Sequence, residues 1–129
     1  MTRSSVGDAR PLLLLVDQDA AVADALRFQL ETEGYEVETF RDAAAVLAAL
    51  IPDRPSCLVV DFDLPDMDGP TLLRRLRGRG LTLPAVLVSS QLAPRDSACT
   101  APVIQKPLMA DELVTAVARA MRASDRSSA

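Results

Sequence analysis

Residues 57–70 read CLVVDFDLPDMDGP. A short aliphatic run, Cys57 to Val60, ends in Asp61. Pro65 and Gly69 then mark a turn, and Pro70 suits the first turn of a helix that carries Leu72, Leu73 and Leu76 to about Arg77. An apolar run without alternation is the pattern of a strand buried on both faces. The same design stands near the start of the chain, where Leu12 to Val16 is wholly aliphatic and ends in Asp17. Two buried strands, each finishing in an aspartate and each followed by a helix, predict a parallel sheet.

Outward from these runs, strand and helix patterns alternate. Val22, Leu26 and Leu30 recur four apart over residues 20–33, with Ala25 and Phe28 beside them, and Gly34 stops that helix. Tyr35 to Phe40 is strand-like, and Asp42 is placed to cap an Ala-rich helix from Ala43 to Leu50. Ala85 to Val88 and Val103 to Gln105 give a fourth and a short fifth strand. Asp111 to Ala123 gives a last helix, with Leu113, Val114, Val117 and Met121 on one face. Residues 1–10 and 124–129 are small and polar, and are expected as frayed tails around one domain over 11–123.

Composition narrows the chemistry. The chain has 129 residues, is about half hydrophobic and has net charge -4, so one domain with its own core is expected. Arg74, Arg75, Arg77 and Arg79 cluster, but beside Leu72, Leu73 and Leu76, which reads as the solvated side of an amphipathic helix. No gathered basic patch for nucleic acid is evident. Leu12 to Val16 is too short for a signal core or a membrane span, so no membrane association and a cytoplasmic location are expected. Cys57 and Cys99 are far apart in a chain with no histidine, so they read as buried or incidental thiols. The missing histidine also removes imidazole-based nucleophilic catalysis and imidazole-ligated zinc.

In open parallel sheets, ligands sit beyond the carboxyl ends of the strands. Asp17 ends the first strand, Asp61 the third and Ser89 the fourth, while Lys106 follows the fifth. Two neighbouring carboxylates repel, and a hard cation such as Mg²⁺ relieves the repulsion. A carboxylate is also a competent nucleophile toward phosphorus. Lys106 and Ser89 would each hold a phosphoryl oxygen. The set is a phosphoryl-accepting pocket, whose donor must be a phosphohistidine on another protein or a small phospho-compound.

The stretches LLLLVDQD, LVVDFDLPDMDG, PAVLVSS and QKPL resemble the CheY-like receiver domains of bacterial two-component systems, over about residues 11–123. The resemblance implies a doubly wound, flavodoxin-like α/β fold with strand order 2-1-3-4-5. It implies Asp61 as phosphoacceptor, Asp17 as part of the acidic metal-binding pair, and Ser89 and Lys106 as the hydroxyl and lysine positions. The Asp63 backbone carbonyl becomes a further ligand for Mg²⁺, and the Lys106–Pro107 bond is expected to be cis. A sensor histidine kinase or histidine phosphotransfer protein becomes the expected donor, and a downstream protein the target. The module would assist its own phosphorylation and dephosphorylation without otherwise being an enzyme. No output domain is expected after the last helix, although a piece of a longer protein would look the same.

Three departures stand out. Gln18 replaces the second acidic residue of the usual pair, so Mg²⁺ should bind more weakly, with Gln18 or Asp19 as the candidate further ligand. Asp19 reads first as a helix cap, and Asp63, Asp66 and Asp68 as turn formers. The stretch between Ser89 and Lys106 is short, aperiodic and holds two prolines, so the helix expected there is shortened or missing. Val103 stands where an aromatic switch is common, and Leu108 where Phe is common. Gln18 and the short stretch favour an alternative, a pseudo-receiver that docks proteins without phosphorylation. A third reading, a haloacid-dehalogenase-like phosphohydrolase, rests on the acid two residues after the nucleophile. It conflicts with the short chain and with a nucleophile after the third strand rather than the first.

Overall fold

Strand burial follows directly from strand composition. The computed structural model describes residues 10–49, 56–81, 83–89, 103–105 and 110–128. Among these, five strands form one parallel sheet in the order β2-β1-β3-β4-β5. The three central strands, β1 (Leu12–Val16), β3 (Ser56–Asp61) and β4 (Ala85–Ser89), are buried at every position. At the edge, β2 (Glu36–Phe40) exposes Glu38 and Thr39 and buries only Val37. Charge on an edge strand discourages pairing with another chain. β5 (Val103–Gln105) closes the other edge. The expected strand order and the doubly wound α/β class are what the molecule has.

Alternation along each strand divides the core in two. Leu12, Leu14, Val16, Leu58, Val60, Ala85 and Leu87 pack with Ala43 and Val46 of α2 (Ala43–Ala48) and with Leu72, Leu73 and Leu76 of α3 (Gly69–Gly78). On the opposite face, Leu13, Leu15, Val37, Cys57, Val59, Val86 and Val88 meet Ala23, Leu26 and Leu30 of α1 (Ala20–Thr32). Leu113 and Val117 of α4 (Ala110–Ser128) complete that face. Each fully buried leucine stabilises the fold by about 1.5–3 kcal/mol relative to exposure. The arginines at 74, 75, 77 and 79 are exposed, as an amphipathic helix requires.

Local chemistry sets the helix ends. Asp19, Asp42 and Asp68 each cap a helix with a side-chain oxygen, accepting from Ala21 and Val22, from Ala45 and from Thr71. Gly34, at φ 101°, leads the chain out of α1 in a conformation that side chains disfavour.

Phe28, grouped with the apolar spacing of α1, is 75% exposed, because the buried line runs through Ala23, Leu26 and Leu30. Residues 124–128, expected as a tail, continue α4 to Ser128; no Gly or Pro interrupts the stretch. The shortened or missing helix before β5 falls on residues 90–102, outside the described residues.

Candidate functional site

Parallel pairing sets β1 and β3 side by side, with Val16 opposite Val60. Asp17 and Asp61 are the next residues of each strand, so the two carboxylates leave the sheet on adjacent strands, about 4.8 Å apart in backbone spacing. Both are buried, at 3% and 7% exposure. Asp61 in turn pairs with β4 at Val88, and the Phe62 N–H donates to the Val88 carbonyl at 2.7 Å. Ser89, the last residue of β4, is 2% exposed. Three of the four residues of the expected pocket thus stand at the carboxyl ends of three adjacent strands. Gln105 pairs with Ser89 across β4 and β5. Lys106 and Pro107, and with them the expected cis bond, lie outside the described residues, as does Leu108.

The loops beyond these strands repeat one device. Asp17 Oδ1 accepts from the Asp19 N–H at 2.9 Å, and Asp61 Oδ1 accepts from the Asp63 N–H at 3.2 Å. Each carboxylate therefore orders the turn that follows it. Asp19 spends its own Oδ1 on the first turn of α1, at 3.0 Å from Ala21 N and 3.3 Å from Val22 N. Its capping role is thereby accounted for. Gln18 reaches across from the first loop, and its Nε2 donates to the Asp63 carbonyl at 3.2 Å.

The turn-forming aspartates extend the same network. Asp63 and Asp68 form an antiparallel bridge across the β3–α3 loop. The Gly69 N–H donates to the Phe62 carbonyl at 2.8 Å, which closes that loop onto its own start. Asp66 accepts from the N–H groups of Ala43 and Ala44, at 3.1 and 2.9 Å, so the loop after Asp61 holds the first turn of α2. Sequence alone assigns Asp66 to its own turn; a bond over more than twenty residues has no local signature. Beside these loops lies a cleft of about 280 Å³ lined by Gln18, Arg41, Asp42 and Pro65.

The donor set is compatible with a hard cation. Asp17, Asp61 and the Asp63 carbonyl are all oxygen donors, and the paired, buried carboxylates concentrate negative charge. Among the described residues no group of three or more His, Cys, Asp or Glu gathers to hold a metal. A cation here would be one that keeps much of its water, as Mg²⁺ does. Cys57 is buried with no such role; burial pushes its thiol up to about 12. Among the described residues, no helix is long and apolar enough to cross a membrane.

Comparison with known proteins agrees with this arrangement. The response regulator receiver domain family matches residues 13–118. Response regulator MprA of Mycobacterium tuberculosis is 34% identical over 116 residues, which cover 85% of this chain and 50% of that protein. MprA of Mycobacterium avium matches to the same extent. The chain spans about half the length of the curated relatives it matches. A CheY-like receiver domain protein from Methanospirillum hungatei superposes with a TM-score of 0.81 at 26% identity, over 92% of this chain and 99% of that one. The chain belongs to the response regulator receiver domain family, a module of two-component signal transduction.

Proposed function

We propose that this receiver accepts a phosphoryl group on Asp61. The observation that carries the reading is the burial of Asp61 beside Asp17 at the carboxyl ends of β3 and β1, inside the family-matched span. A carboxylate oxygen of Asp61 attacks phosphorus while the bond to the donor imidazole nitrogen breaks, and the imidazole takes up a proton as it leaves. The donor is a sensor histidine kinase or a histidine phosphotransfer protein, since this chain has no histidine of its own. Ser89 and Lys106 are assigned to the phosphoryl oxygens. Mg²⁺ held by Asp17, Asp61 and the Asp63 carbonyl would neutralise charge during transfer. The output is docking of a downstream protein, in the cytoplasm and without direct contact to nucleic acid.

Intact-protein mass after incubation with acetyl phosphate tests this, with and without Mg²⁺, on wild type and Asp61→Asn. The expected result is a metal-dependent phosphoryl adduct on wild type alone. No adduct at any Mg²⁺ concentration, followed by none from a cognate kinase, sinks the reading. The second reading, a pseudo-receiver that docks partners without phosphorylation, then takes its place. Gln18 favours that alternative, because it brings a neutral amide to the acidic pair and bonds it to the Asp63 carbonyl.

A further inference from the structure

The peptide groups around Asp63 are engaged from two sides. Its N–H donates to the Asp61 carboxylate, and its carbonyl accepts from Gln18 Nε2 at 3.2 Å. The second bond crosses between loops 45 residues apart in sequence. Its polarity is decided by chemistry. The alternative amide orientation would set Oε1 against a carbonyl oxygen, acceptor against acceptor, so the NH₂ end must face Asp63. An amide nitrogen offers a cation no lone pair. Its N–H also presents positive charge at the oxygen a cation would need.

We propose that Gln18 is a latch that competes with a divalent cation for the Asp63 carbonyl. The inference rests on the reading of Asp17, Asp61 and Asp63 as a cation site. It differs from a simple loss of ligand charge. A residue that merely lacks charge leaves the carbonyl available, whereas a latch has to be displaced before the cation can bind. The latch also links the β1–α1 loop to the β3–α3 loop without metal, which is the connection a shared cation would otherwise make.

Calorimetric titration of Mg²⁺ into metal-stripped protein separates these cases, using wild type, Gln18→Ala, Gln18→Met and Gln18→Asp. Gln18 is exposed, so its replacement leaves the core intact, and Met keeps the length of the side chain without a donor or a hard oxygen. The latch requires Ala and Met to bind Mg²⁺ more tightly than wild type, by about 2- to 10-fold, the worth of one net hydrogen bond. Gln18→Asp, with the latch removed and a charge added, binds tightest. If Asp binds Mg²⁺ but Ala and Met bind no better than wild type, the latch is overturned and the cation site stands. If even Gln18→Asp binds no Mg²⁺, the cation site itself is wrong and the latch falls with it.

Discussion

Gly69 shows how little room surrounds the loop after Asp61. A Cβ built there meets the Asp61 carbonyl oxygen and Leu87 Cδ2 at 3.0 Å and Val60 Cγ1 at 3.2 Å. Leucine can shift, but the carbonyl belongs to the backbone of the strand that carries Asp61. Gly69→Ala should therefore cost about 1–3 kcal/mol by overpacking, despite the better helix propensity of Ala. Urea unfolding measures it, and an unchanged midpoint would show that the loop has slack. Asp68, one residue earlier, caps α3 at 2.8 Å from Thr71 N. The Thr71 hydroxyl, then the Thr71 N–H, hold its carboxyl below the usual carboxylate range. A depressed folded value means that the stabilisation is complete above the unfolded pKa, about 3.9, and is lost as pH falls through the lower folded value. Asp68→Ala should cost about 1 kcal/mol at pH 7. That difference should shrink as pH falls through the lower folded value; a gap that stays constant across the acid range would remove the charge from the account.

At the scale of elements, α2 leans on bonds from outside itself. Its helical span is six residues, too short to persist alone. Its first turn is bonded by Asp42 and Asp66, and Arg79 Nη1, just past α3, donates to the Leu47 carbonyl at 2.8 Å. Asp66→Ala should speed hydrogen exchange at the Ala43 and Ala44 amides while leaving the amides of α3 protected. Equal acceleration in both helices would mean that Asp66 supports the whole loop rather than α2. These contacts also mark what sequence reading reaches. The central strands were legible because nearly unbroken aliphatic runs admit few alternatives, and Asp19 and Asp42 announced their helices by position. The juxtaposition of Asp17, Asp61 and Ser89 was legible because parallel strands bring their carboxyl ends together. The bonds from Asp66 to α2 and from Gln18 to Asp63 were not, since the fold alone makes such distant partners neighbours. Phe28 misled for a related reason: spacing finds an apolar line, while the neighbouring elements decide which line is covered.

For the whole molecule, the sheet is the member that both cores share. Leu72 packs on one face and Cys57 on the other, and neither touches water. The central strands contribute side chains to both layers, so loss of one layer should carry the other with it. Cys57 can report this. With its thiol pushed up to about 12, about one molecule in ten thousand carries the thiolate at pH 8, and full burial blocks a reagent besides. In a Cys99→Ser background, labelling of Cys57 should therefore proceed only through global opening. Leu72→Ala, on the far face, should cost about 2–5 kcal/mol and accelerate labelling of Cys57 by the same factor as its unfolding constant, about 30-fold or more. Thiol-labelling rates set beside urea unfolding of the same two proteins decide the matter. Proportional changes mean that one cooperative unit carries the site. A loss of stability with no change in labelling would mean that the α2–α3 layer melts alone, and that the loop after Asp61 can rearrange without disturbing the opposite face.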